Sequence, residues 1–246
     1  MSSLEHIETP KTAMILAAGL GQRMRPLTDD KPKALVEVAG KPLIGHLLDA
    51  LQKAGVEKIV INVHYLPGIL RKWIHEHPLN GRIIISDESD EILDTGGGIK
   101  SALPHLGPGS FYAANCDSFF PDAGDNPFLV LNNAWKPDVM DGLLLLKETA
   151  QAFGYDHNGD FFLGENETLS RPEKDEAAPF AYVGLQILTP KLFAEEPEGV
   201  FSLNKVYDQA LASNKLCGVA YPGRWFHIGT QAALAKAEAI LKGADD

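Results

Sequence analysis

The sequence predicts one α/β domain built on a mostly parallel sheet, and three observations predict it. Short apolar runs of strand length alternate with stretches whose apolar residues recur at helical spacing over roughly the first half of the chain. The first run, residues 14–18, ends at Gly19 and Gly21, a strand-to-turn junction typical of nucleotide-binding α/β proteins. The 246 residues, 45% apolar and 22% charged, are enough for one sizeable core.

Taken in order, residues 1–10 are polar and acidic and read as a loose N-terminus without a signal-peptide core. Residues 14–18 form a buried strand. Gly19 and Gly21 then present bare amides, which suit phosphate oxygens, and Arg23, Arg25 and Lys33 follow in a loop stiffened by Pro26 and Pro32. The simplest reading is a nucleoside triphosphate cradle. A dinucleotide fingerprint would need a glycine where Met24 stands, and a P-loop would need Gly-Lys before Ser or Thr, whereas Gly40-Lys41 precedes Pro42.

Residues 42–54 carry Leu43, Leu47, Leu48 and Leu51 at helical spacing, with Gly55 as the C-terminal cap. A strand at 58–63, a helix at 67–77 and a strand at 82–86 follow. Asp94-Thr-Gly-Gly-Gly98 precedes a helix predicted from 99 to about 106, where glycines would admit the base or sugar of a nucleotide to the backbone. Residues 110–114 make the next strand, and Asn115, Cys116 and Asp117 lie at its end. In a parallel sheet the loops after residues 18, 63, 86 and 114 converge on one site. Beside a triphosphate cradle, the economical role for Asp117 is to hold Mg²⁺.

Residues 141–147 begin a strand-rich region, with further strands at 160–163, 168–171 and 180–188 joined by Asn-Gly and Asn-Glu turns. Periodicity alone places Tyr182 in the core. A helix at 202–213 capped by Ser202, a strand at 215–221 and a final helix at 231–241 capped by Thr230 complete the chain.

The formal charge of −11 argues against a nucleic-acid surface, since the cations of the first loop are local. Cys116 and Cys217 make neither a disulfide framework nor a metal knuckle and read as reduced, buried thiols. No apolar run reaches membrane-spanning length. A cytoplasmic protein with no membrane partner is expected, a monomer or small homo-oligomer.

Leu16-Ala-Ala-Gly-Leu-Gly-Gln-Arg23, Pro26-Leu-Thr28, Lys31-Pro-Lys33 and Gly40-Lys-Pro-Leu-Ile44 resemble the signature of the sugar-1-phosphate nucleotidyltransferases. The resemblance continues through Asp94-Thr-Gly-Gly-Gly-Ile99, Asn115-Cys-Asp117, Phe180-Ala-Tyr-Val-Gly184 and Trp225-Phe-His-Ile-Gly-Thr230, nearly the whole chain. It implies a Rossmann-like three-layer sandwich of the nucleotide-diphospho-sugar transferase type. Residues 11–140 would mainly bind nucleotide and 141–246 mainly sugar.

The implied reaction joins a nucleoside triphosphate to a sugar 1-phosphate, with Mg²⁺ or Mn²⁺ as cofactor. UTP and N-acetylmuramate 1-phosphate are the expected substrates, in peptidoglycan sugar recycling. GTP with mannose 1-phosphate, CTP with an alcohol phosphate, and a regulatory nucleotide-binding protein without turnover are the alternatives.

Arg23 and Lys33 are the implied catalytic cations. Ala17, Ala18, Gly19, Gly21, Thr95, Gly96, Gly97 and Asn115 would join them around the nucleotide. Gly154, Glu165, Tyr182 and Gly184 would meet the sugar phosphate, and Asp117 and His227 the metal. The family carries Asp where this chain has His227. Mg²⁺ held by Asp117, phosphates and water, a phosphate-binding His227, a Mn²⁺-like metal, or a histidine packed beside Trp225 all remain open.

Overall fold

A computed structural model describes residues 9–121 and 124–243. Residues 1–8 of the expected loose N-terminus lie outside this description. The sheet strands are β1 (Thr12–Leu16), β2 (Lys58–Val63), β3 (Ile83–Asp87), β4 (Phe111–Asn115), β5 (Gly142–Glu148), β6 (Phe180–Leu188) and β7 (Leu216–Ala220). They form one seven-stranded sheet in the order β7-β5-β6-β4-β1-β2-β3. Only β6 opposes its neighbours β4 and β5; the other pairings are parallel.

Strand alternation divides the core between two faces. Ala13, Ile15, Tyr112 and Ala114 point to one face and meet α1 (Leu43–Lys53), α2 (Pro67–Glu76) and α4 (Pro127–Ala134). Met14, Phe111 and Ala113 point to the other and meet α3 (Asp94–Leu106) and α5 (Leu203–Ala212). The result is the expected three layers. A third cluster joins Met24, Val36, Val38, Leu43, Phe119, Phe226 and Ile228 to Ala237 of α6 (Gln231–Leu241), beneath the loop that carries Arg23.

Several boundaries differ from expectation for identifiable reasons. β1 stops at Leu16, so the turn begins at Ala17. Helix α3 starts at Asp94 and contains all three glycines, because the amides of Gly96 and Gly97 both donate to the Phe201 carbonyl, at 3.0 and 3.1 Å. That acceptor comes from a segment over a hundred residues away in sequence, and local propensity cannot see it.

Helix α4 was not anticipated. Its signals are short: Asn126 caps it by accepting from the Phe128 amide at 3.0 Å, and Pro127 takes the first turn. The predicted strands at 160–163 and 168–171 shrink to a two-residue pair, Phe162–Leu163 with Leu169–Ser170.

Candidate active site

β1, β2 and β3 follow in sequence across one half of the sheet, and β4 then lies on the far side of β1. This reversal opens a crevice at the carboxyl ends of the strands. A cavity of about 500 Å³ occupies it. Its wall includes Ala18, Gly19, Gly21, Arg23, Lys33, Thr95, Asn115 and Asp117 from the sequence expectations. It also includes Asn62, Glu88 and Ile92, which the sequence did not single out, and Asp94 and Gly229, which it marked only as members of longer motifs.

The glycine turn is held at both ends and open between them. At one end the Ala17 amide donates to Asn62 Oδ1 at 2.6 Å. At the other, Gly21 takes φ +64° and its carbonyl accepts from Thr28 Oγ1 at 2.8 Å and from the Met24 amide at 2.9 Å. A β-carbon on Gly21 would lie 3.1 Å from Thr28 Cγ2 and 3.2 Å from Lys33 Cβ, so the position needs glycine for both conformation and space. Among the described residues, no protein acceptor takes the amides of Ala18, Gly19, Leu20 or Gly21. Such amides form an anion-binding concavity.

The cations are placed by buried neighbours. Met24, in the place of a dinucleotide fingerprint's third glycine, is fully buried in the third cluster and so aims the adjacent Arg23 into the cavity. The Gln231 side chain donates to the Arg25 carbonyl and ties this loop to α6. Ala34 and Leu35 anchor the turn that carries Lys33. Lys33 Nζ meets Asp117 Oδ2 at 2.7 Å, with side chains only 12% and 19% exposed. Burial pushes the Asp117 carboxyl up, but the Lys33 ammonium, supported by His227, outweighs it and holds the pKa below the ordinary value.

His227 reaches Asp117 through a short antiparallel pairing of Phe226–His227 with Ser118–Phe119, reinforced by the Ile228 amide donating to the Asp117 carbonyl at 2.9 Å. Burial lowers the His227 pKa despite the attraction of Asp117, so the ring is a neutral imidazole at neutral pH. Among the described residues no group of three or more His, Cys, Asp or Glu could hold a metal ion; the site offers Asp117 and the adjacent imidazole.

Other expected contacts fall elsewhere. Ala17, Gly96 and Gly97 spend their amides on protein acceptors and have none for a nucleotide. Gly184 (φ +79°) sits against Asn115, 3.0 Å from its Cβ to where a β-carbon would be, and at Gly154 (φ +75°) a β-carbon would strike the His227 carbonyl. These two glycines back the site, letting chain segments pass close behind Asn115 and His227. Tyr182 is half-buried and packs against the core shared with α5, its ring edge-on to Tyr207 at 6.1 Å.

Glu165 lies at the far end of the sheet. Its carbonyl accepts from Thr168, and Thr168 bridges to Cys217 at the start of β7, whereas the cavity lies at strand ends. Asn62 carried one faint signal, a polar residue inside an apolar strand, whereas Glu88 sits in the polar run 86–91 and carried none. Cys116 and Cys217 are free and buried, and burial pushes the Cys116 thiol up to about 12. No helix among the described residues is long and apolar enough to cross a membrane.

Comparison with known proteins agrees with this geometry. A family model described as the MobA-like NTP transferase domain matches residues 13–129. The chain is 44% identical to the N-acetylmuramate alpha-1-phosphate uridylyltransferase of Caulobacter vibrioides, over 95% of this chain and 98% of that one. It is 35% identical to the enzyme of the same name from Neisseria meningitidis serogroup B, over 93% and 97% of the two chains. Among solved structures, a UDP-glucose pyrophosphorylase complexed with UDP-glucose superposes with TM-score 0.77 at 16% identity, covering 95% of this chain and 99% of that one, a likeness of fold. With identity at this level running from end to end, and with an open-amide turn, two cations and a carboxylate gathered at the switch point, the chain belongs to the sugar-1-phosphate nucleotidyltransferase family.

Proposed function

We propose that this protein joins UTP to N-acetylmuramate 1-phosphate, giving UDP-N-acetylmuramate and pyrophosphate, in the cytosol. The observation that carries the substrate assignment is the end-to-end similarity to two uridylyltransferases of that specificity from different bacteria. The cavity supports the reaction class. A phosphate monoester is already anionic at neutral pH, so its attack on the α-phosphorus needs alignment and positive charge rather than a general base.

In this reading the amides of Ala18, Gly19 and Gly21 hold phosphates, Arg23 faces the departing pyrophosphate, and Lys33 serves the α-phosphate. Thr95 and Asn115 face the nucleoside. Gly154 and Gly184 shape the sugar end without touching it. Asp117 would hold Mg²⁺, with the His227 imidazole beside it. That donor set fits a cation drawing its other ligands from phosphates and water, and the imidazole suits Mn²⁺ better than Mg²⁺. When bound, the cation would neutralise phosphate charge.

The test is pyrophosphate release across UTP, GTP, CTP, ATP and dTTP against N-acetylmuramate, N-acetylglucosamine, glucose and mannose 1-phosphates, with Mg²⁺ and with Mn²⁺. Turnover confined to UTP with N-acetylmuramate 1-phosphate is the expected result. Preference for GTP with mannose 1-phosphate would overturn the substrates and keep the chemistry. Nucleotide binding without turnover in any combination would favour a regulatory protein.

A further inference from the structure

Two buried polar side chains in the cavity wall, Asn62 at 2% and Glu88 at 3% exposed, have no part in the reaction just described. They form a chain of hydrogen bonds across three neighbouring strands. The Ala17 amide after β1 donates to Asn62 Oδ1 at 2.6 Å; Asn62 Nδ2, in β2, donates to Glu88 Oε1 at 2.7 Å; the Leu93 amide, at the threshold of α3, donates to Glu88 Oε2 at 3.2 Å.

Each link has one possible direction. A backbone N–H can only donate, so Asn62 must turn its oxygen to Ala17 and its nitrogen to Glu88, which must then accept at both oxygens. The Glu88 backbone is pinned as well, its amide donating to the Val63 carbonyl at 2.9 Å and its carbonyl meeting His64 Nδ1 at 2.6 Å. Gly98 leaves the space: a β-carbon there would lie 2.7 Å from Glu88 Oε1 and 3.0 Å from Asn62 Nδ2.

We infer that Asn62 and Glu88 are positioning residues, a one-way hydrogen-bond relay that sets the spacing between the glycine turn after β1 and the start of α3. One end of the relay anchors the turn that offers amides to phosphate, and the other anchors the segment of Ile92, Asp94 and Thr95 on the nucleoside side. The relay therefore fixes a nucleoside relative to its phosphates and does nothing for the sugar phosphate. This rests on the cavity being a nucleoside triphosphate site.

The direction of the relay makes it testable by a swap. Asn62→Asp sets two carboxylates against each other, and Glu88→Gln sets a donor against either Asn62 Nδ2 or the Leu93 amide. In the double variant every donor again meets an acceptor: the new carboxylate at 62 accepts from Ala17 and from the new amide at 88, whose oxygen accepts from Leu93.

UTP affinity is measured by calorimetry on each folded protein, with KM for both substrates from pyrophosphate release. Each single variant weakens UTP about ten- to a hundredfold, the range for one mispaired buried group, with the sugar-phosphate KM within about twofold of native. The double variant returns to within about fivefold of native. Unchanged UTP affinity in the singles, a double no better than the weaker single, or a sugar-phosphate KM that moves in step would overturn the relay.

The native protein supplies an independent check should a variant not fold. Amide exchange at Ala17 and Leu93 is slow although both lie outside helices and strands, and fast exchange at either overturns the inference. A native protein that binds no triphosphate would instead overturn the nucleotide reading on which the inference stands.

Discussion

Lys33 and Asp117 show how much one contact can be asked to do. Breaking a buried pair by removing one partner costs about 3–5 kcal/mol, because the remaining charge stays buried. Lys33→Met therefore lowers the melting temperature and abolishes turnover. It also reverses a pH dependence. In the native protein Asp117 titrates below its ordinary 3.8, so its stabilising contribution is complete above that value and is lost as pH falls through the lower folded pKa. Without Lys33, burial prevails and the folded pKa rises above 3.8, so the contribution instead declines as pH rises past that value. Melting temperatures recorded from pH 4 to 7 separate the two: the deficit of the variant against native grows towards neutral pH.

His227 is tested at the same scale. Restoring a carboxylate with His227→Asp adds a hard oxygen donor beside Asp117, so the Mg²⁺ concentration for half-maximal turnover falls and any preference for Mn²⁺ disappears. His227→Asn, which keeps size and removes the imidazole, weakens Mn²⁺ support selectively. Equal behaviour of native and Asn variants with both metals would reduce the histidine to packing.

At the scale of elements, α3 poses a question of sign. Helix propensity alone says that replacing Gly97 by alanine stabilises the helix by roughly 1 kcal/mol. The neighbours say the opposite, since a β-carbon at Gly97 would run into the Gly199 carbonyl, a backbone atom that cannot step aside cheaply. Overpacking of that kind costs about 1–3 kcal/mol, at some 2–4 °C per kcal/mol for a chain of this length. Gly97→Ala therefore lowers the melting temperature by several degrees, and a rise would show that propensity wins. The glycines of Asp94-Thr-Gly-Gly-Gly98 are thus explained by helix-to-loop packing under Phe201 and Gly199 and by room for Glu88, and the residue types alone could not distinguish this from a bare ligand-facing loop.

At the scale of the whole molecule, stability is unevenly spread. β1, β2 and β4 are central and covered on both faces, whereas residues 173–177 are exposed. Hydrogen exchange of the central strands should require global unfolding, while residues 173–177 exchange by local opening, with rates differing by orders of magnitude. Two separate exchange levels among the central strands, one for β1, β2 and β4 and another for β5 and β6, would mean that the two halves of the chain unfold separately and that the reading of one cooperative domain is wrong.

The sequence by itself determined the alternation of strands and helices, the open glycine turn, the cations Arg23 and Lys33, and Asp117 at a strand end. These are local: an apolar period, a glycine without a side chain and a proline with a fixed φ act within a few residues of themselves. Its period pointed Tyr182 towards the core, and the structure has it half-buried against the cluster shared with α5. The tertiary structure decided which amides remain open. Ala17, Gly96 and Gly97 resemble Ala18 and Gly19 in sequence but meet acceptors at Asn62 and Phe201. It decided too that Gly154 and Gly184 lie against His227 and Asn115 with no room for a β-carbon, that Glu165 lies at the other end of the sheet from the cavity, and that Asn62 and Glu88 join across strands. The physical reason is that a hydrogen-bonding group is free or spent according to what stands opposite it, and the group opposite is supplied by another part of the chain.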